Sequence, residues 1–72
     1  MYYYKRIRDL REDNDKTQTE IAKYLGIQQQ QYQRYESGNF EIPLHFAIML
    51  ADFYDVTLDY ITGRSDIKRI IK

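Results

Sequence analysis

The segment Gln18 to Gly38, QTEIAKYLGIQQQQYQRYESG, constrains this chain more than any other stretch. It holds two short helical patterns with only a few residues between them. Thr17-Gln18-Thr19-Glu20 reads as a capping box, in which the Thr17 hydroxyl and the Glu20 side chain each satisfy a free backbone N–H at the helix start. Ile21, Ala22 and Leu25 form an apolar stripe behind it, and Gly26 supplies the positive φ that ends many helices. The next pattern, about Gln28 to Glu36, puts Tyr32 and Tyr35 on one face and stops at Ser37-Gly38-Asn39. Two short helices joined by a tight glycine turn make a helix-turn-helix unit, about residues 18–37.

The flanks extend this into an all-α chain. Ile7 and Leu10 recur at helical spacing between Tyr4 and Asp13, and the turn residues Asp13-Asn14-Asp15 stop that first helix. Pro43 is expected in the first turn of a fourth helix, where its missing N–H costs nothing, followed by the stripe Ala47, Leu50, Ala51 and Tyr54. Asp55 breaks the pattern, Thr57 can cap a fifth helix carrying Leu58 and Ile61, and Gly63 closes it. The expected organisation is one domain over residues 1–63 and a C-terminal tail over 64–72. That tail, with Ile67, Ile70 and Ile71, reads equally as a short extra helix or a frayed end. Tyr2, Tyr3 and Tyr4 read as a lid on the core or part of an interface.

Several function classes are disfavoured at once. Cysteine is absent, which removes disulfides and thiolate metal sites. The single histidine, His45, has no second His or Cys beside it, so neither a metal site nor a nucleophile–base arrangement can be built there. No phosphate loop or metal cluster suggests an enzyme, and no metal or other cofactor is expected. No apolar run reaches the roughly 18 residues of a membrane span, and the start lacks the apolar stretch of a secretory signal, so a cytoplasmic location is expected. Eleven basic and eleven acidic residues give zero net charge. Any interaction with nucleic acid must therefore rest on where the charges sit, because there is no basic excess to release counterions.

With Tyr32 and Tyr35 inward, about 100° per residue turns Gln30, Gln33 and Arg34 outward and leaves Gln29 at the edge near the helix start. Gln can pair with adenine N6 and N7, and Arg with guanine O6 and N7. A plain solvated face made of good helix formers is the competing reading of the same glutamines. Their place at the start of the second helix of the unit favours base contact, since a recognition helix needs one face on the core and one in the major groove. The free N–H groups at the start of the preceding helix suit a phosphate, with Thr17 a backbone candidate although its capping role is the safer one.

From about Arg6 to Gly63 the chain resembles the lambda-repressor-like, Cro/C1-type (XRE) helix-turn-helix family. The resemblance rests on an ordered set: Arg6-Ile7, Leu10-Arg11, Gln18-x-Glu20-Ile21-Ala22, Leu25-Gly26, Tyr32, Tyr35-Glu36-x-Gly38, Pro43, Leu50-Ala51 and Val56-Thr57-Leu58-x-x-Ile61. It implies a five-helix bundle that binds double-stranded DNA. It further implies that Gln18 touches a phosphate and braces Gln29, that Gln30, Gln33 and Arg34 read base edges, and that Gln28 lies beside the backbone. Arg11 and Glu36 match a structural ion pair between the first and third helices. The fifth helix, through Leu58 and Tyr60, would supply a homodimer surface, which the tail could extend. One departure stands out: the loop after the recognition helix is Asn39-Phe40-Glu41-Ile42, where relatives often carry Lys or Arg. Asn39 is its remaining backbone candidate, Glu41 would repel DNA if it faced the backbone, and Lys5, Arg6 or Arg8 of the first helix could compensate, although a plain solvated helix face is the competing reading of those three. The expected function is a sequence-specific transcriptional regulator, acting as a repressor through a dimer on a pseudo-palindromic operator. The alternative is a protein-interaction module, such as an antitoxin or a subunit of a larger regulator, with a protein partner on the glutamine face.

Overall fold

The computed structural model describes residues 4–68, and in them five helices and no strand: α1 (Lys5–Asp13), α2 (Gln18–Leu25), α3 (Gln29–Glu36), α4 (Leu44–Tyr54) and α5 (Leu58–Thr62). The chain is an all-α bundle. Tyr2, Tyr3, Ile70 and Ile71, read above as lid and tail residues, lie outside the described residues.

Local chemistry explains most helix ends. The Thr17 hydroxyl accepts from the Glu20 N–H at 3.1 Å while the Glu20 carboxylate accepts from the Thr17 N–H at 3.3 Å. Gly26 then closes α2 at φ 78°, a left-handed conformation that disfavours a side chain. Thr57 caps α5 by accepting from the Tyr60 N–H at 3.0 Å. Three expected boundaries shift by one residue. Tyr4, Gln28 and Pro43 are N-caps outside their helices, and the latter two are extended (ψ 147° in both). For Pro43 the fixed ring φ suits that position as well as the first turn.

The apolar stripes meet in one core. Ile7 and Leu10 of α1, Ile21, Ala22 and Leu25 of α2, Tyr32 and Tyr35 of α3, Ala47, Leu50, Ala51 and Tyr54 of α4, and Ile61 of α5 are buried, joined by Ile42 from the α3–α4 loop. Helices α2 and α3 pack on each other, α1 packs on α3 and α5, and α4 packs on α5. Burial of two tyrosines on α3 anchors that helix from within, so its remaining faces stay in solvent. The hydroxyls of Tyr32 and Tyr54 are buried without a hydrogen-bond partner. Burial, reinforced by the nearby Glu36 charge, pushes both phenols up from their usual range.

Residues 64–68 form neither a helix nor a loose end. The Thr57 N–H donates to the Lys68 carbonyl at 2.7 Å and the Thr57 hydroxyl to the Ile67 carbonyl at 3.2 Å, so this strap turns back onto the start of α5. Arg6 holds it from the other side, donating to the carbonyls of Tyr60 (2.9 Å) and Ser65 (2.6 Å) and pairing with Asp66 at 2.5 Å. The Arg6 guanidinium also lies over the Tyr60 ring, 4.2 Å from its centre.

Candidate nucleic-acid interface

The side chains of α3 divide as its anchoring requires. Tyr32 and Tyr35 point inward, while Gln30, Gln33 and Arg34 are exposed and share the outward surface with Gln31. Gln28, at the N-cap, is exposed and makes no capping bond. Gln31 is drawn back toward the helix, its amide donating to the Tyr35 hydroxyl at 3.0 Å. Arg34 lies with its guanidinium 5.6 Å from the centre of the Phe40 ring, a cation–π contact that limits its motion without hiding it. The sequence by itself gives Phe40 no role. Its only local signal is an aromatic six residues after an arginine, which gains meaning once the turn at Gly38 brings the loop back.

Behind this surface runs a chain of polar contacts that links three helices. Arg11 of α1 donates to Glu36 of α3 through Nε at 2.6 Å and through its terminal nitrogen at 3.1 Å. The same guanidinium donates to the Lys16 carbonyl at 2.8 Å, tying the α1–α2 turn to the pair. Glu36 is 3% exposed and is the one buried charged residue among those described. Its second oxygen also accepts from the Gln18 amide at 3.2 Å, and the Gln18 carbonyl oxygen accepts from the Gln29 amide at 2.6 Å. Burial pushes the Glu36 carboxyl up, but its neighbours, Arg11 first and then Tyr32 and Gln18, outweigh it and hold it below the usual carboxylate range. The hydrogen bonds to Glu36 correspondingly raise Arg11, against a smaller opposing effect of burial.

The structure thus brings together Arg11 with Glu36 and Gln18 with Gln29. The bond between Gln18 and Glu36 is an addition that sequence reasoning did not find. Thr17 is committed to its capping box, and Asn39 is exposed in the loop after α3. Glu41 is exposed, and its carboxylate accepts from the Tyr4 hydroxyl at 3.3 Å, so it turns toward the start of α1. Arg6 does not supply the compensating phosphate contact, because its guanidinium is engaged by the strap and by Tyr60. Arg8 is exposed but pairs with Glu12 at 2.6 Å. Leu58 and Tyr60 are both half-buried; Tyr60 is covered on one side by Arg6 and approached by Lys68 at 5.6 Å, and Leu58 edges a shallow groove with Thr57, Asp59, Ser65 and Ile67.

The described residues contain no group of three His, Cys, Asp or Glu side chains able to hold a metal ion. None of their helices is long and apolar enough to cross a membrane.

Comparison with known proteins agrees with the geometry. The helix-turn-helix family model matches residues 7–61. The chain is 38% identical over 64 residues to the uncharacterized HTH-type transcriptional regulator YobD of Bacillus subtilis, covering 89% of this chain and 57% of that protein. It is 37% identical over 54 residues to a protein of Pyrococcus abyssi named as an HTH-type transcriptional regulatory protein, and 38% identical over 53 residues to one so named in Pyrococcus furiosus. Those two alignments cover 75% and 74% of this chain but 17% of each archaeal protein, so the chain spans only part of the relatives it matches. No solved structure matches significantly.

Proposed function

The chain belongs to the Cro/C1-type helix-turn-helix family of non-enzymatic DNA-binding transcription regulators, and from that premise we propose that α3 enters the major groove of duplex DNA and reads its sequence. In this reading Gln29, Gln30, Gln33 and Arg34 contact base edges, while Thr17, Gln18, Gln28 and Asn39 meet the sugar–phosphate backbone. The observation that carries it is the exposed Gln30, Gln33 and Arg34 ridge on a helix locked from beneath by Tyr32 and Tyr35. A rigid helix with adenine- and guanine-matching side chains outward is what direct readout requires.

One recognition helix covers only a few base pairs, so the reading extends to a homodimer on a pseudo-palindromic operator, its half-sites about 34–36 Å apart. Leu58 and Tyr60 supply the dimer surface in this proposal. Residues 1–63 act as the binding domain and 64–72 as its tail. The regulator works as a repressor in the cytoplasm by occupying a promoter. Zero net charge and Glu41 in the loop after α3 favour a second reading, in which the glutamine face binds a protein partner and DNA binding is secondary.

Selection from a random duplex pool, with a salt titration of binding, tests the proposal. Arg34→Ala is expected to relax preference at a guanine and Gln30→Ala at a neighbouring adenine, each by about 1–3 kcal/mol. Identical selected motifs for both variants and the parent would remove these residues from base reading. Absence of sequence preference together with a flat salt dependence would favour the protein-interaction module.

A further inference from the structure

The relay from Glu36 through Gln18 to Gln29 has a direction. An ionised carboxylate can only accept hydrogen bonds. Whatever faces Glu36 must therefore be a donor, and Gln18 has to turn its amide nitrogen to it, as the 3.2 Å bond requires. That choice leaves the Gln18 oxygen on the opposite side, where it can only accept. Gln29 in turn must donate, and its nitrogen lies 2.6 Å from that oxygen. One amide hydrogen of Gln29 is now committed. What remains for a ligand is its carbonyl oxygen and the second amide hydrogen, one acceptor and one donor, the complement of adenine N6 and N7.

Two further features make the direction robust. Glu36 is 3% exposed, and Arg11 holds it with two bonds, so no water competes freely for the carboxylate oxygen facing Gln18. Gln18 and Gln29 are only half-exposed; Gln18 is held at both ends of its amide, and Gln29 is tied to it through one amide hydrogen rather than rotating in solvent. A free glutamine side chain presents either end of its amide to a base. This one does not.

We infer that Glu36 is a positioning residue for base recognition: by acting only as an acceptor it sets the amide orientation of Gln18, and through it the orientation of Gln29, so that Gln29 selects adenine. The inference rests on the reading of α3 as the groove-entering helix and names what fixes one of its contacts. Replacing Glu36 with glutamine gives a sharp reversal. The Arg11 Nε bond is the shorter, so the new amide oxygen stays with Nε, and the new amide nitrogen takes the place of the oxygen that faces Gln18, giving up the 3.1 Å bond from Arg11's terminal nitrogen. Gln18 must then turn its oxygen to residue 36 and its nitrogen to Gln29. Gln29 responds with its oxygen, and both of its amide hydrogens are left for the base. Two donors match the two acceptors of guanine, O6 and N7.

The experiment is duplex selection with wild type, Glu36→Gln, Gln18→Ala and Gln29→Ala, with folding of each followed by circular dichroism. Gln29→Ala identifies the base position that Gln29 reads. At that position alone, Glu36→Gln is expected to lower the adenine-over-guanine preference by about tenfold or to invert it, with the Gln30, Gln33 and Arg34 positions unchanged. A general loosening of the fold would instead weaken every position together, and that result, or retention of full adenine preference, overturns the inference. If Glu36→Gln does not fold, Gln18→Ala decides, because it leaves the Arg11–Glu36 pair intact. Loss of preference at the Gln29 position only supports the relay, and an unchanged motif refutes it. A silent Gln29→Ala overturns the base-contact reading itself and this inference with it. An effect of Gln29→Ala without one of Glu36→Gln or Gln18→Ala overturns the relay alone.

Discussion

Arg11→Met is the most informative perturbation of stability. It removes three hydrogen bonds at once, two to Glu36 and one to the Lys16 carbonyl, while keeping an unbranched apolar stem in the same space. Glu36 is then left 3% exposed with Gln18 as its remaining donor. Breaking a buried pair by removing one partner costs about 3–5 kcal/mol. Arg11 itself retains 14% side-chain exposure, so water can partly replace it and the low end applies, about 3 kcal/mol. A 72-residue domain has about 4–11 kcal/mol in total, so the variant should lose a large share of its stability. In thermal unfolding this is a fall of about 12–24 °C in Tm, taking about 4–8 °C per kcal/mol for a domain of this size.

The double variant Arg11→Met with Glu36→Leu should recover most of the loss, because no charge is stranded. The pH dependence carries the same signature. In the wild type the Glu36 carboxyl is held below its ordinary range, so its contribution is complete above the unfolded value near 4.5 and is lost as pH falls through the depressed folded value. Without Arg11 the largest opponent of burial is gone, Tyr32 and Gln18 alone remain against it, and the carboxyl moves up from its wild-type position. The penalty in Arg11→Met is then largest at neutral pH and shrinks on acidification, so the two stability curves converge. Urea unfolding followed by circular dichroism between neutral and mildly acidic pH measures both. A loss below about 0.5 kcal/mol, the size of an exposed pair, or a double variant no more stable than the single one, would refute the reasoning.

Three further outcomes are expected. Gly26→Ala should cost about 1 kcal/mol in urea unfolding from backbone strain alone, since φ is 78° and an added Cβ would meet nothing within 4 Å. Thr17→Ala should cost about 1 kcal/mol by the same measure, through loss of the capping box at α2. Arg6→Ala should release the strap, and hydrogen exchange should show faster exchange of the Thr57 amide, which donates to the Lys68 carbonyl, with little change at the Ile21 amide in α2.

Much of this architecture is legible in short windows of the sequence. Thr17 with Glu20, Gly26, and Thr57 each mark a helix boundary through bonds that span three or four residues, and such signals need no tertiary context. The inward face of α3 follows from Tyr32 and Tyr35 for the same reason, and the outward Gln30, Gln33 and Arg34 follow from that face. Arg6 shows where this kind of reading stops. On a helical wheel it is a basic residue beside other basic residues, free to meet a phosphate. Its actual partners, Tyr60, Ser65 and Asp66, are 54 to 60 positions away, and no local pattern predicts them.

By itself the sequence determined the helix count, the helix-turn-helix unit and the residue types offered on its outer surface, because periodicity and capping are local properties of the chain. Only the tertiary structure decided which of those residues are already engaged: Arg6 by the strap, Arg34 by Phe40, Gln29 by Gln18, and Gln18 by a glutamate on a different helix. Those contacts depend on how α1, α2, α3 and α5 come to rest against one another, and packing of that kind is settled by the whole core at once.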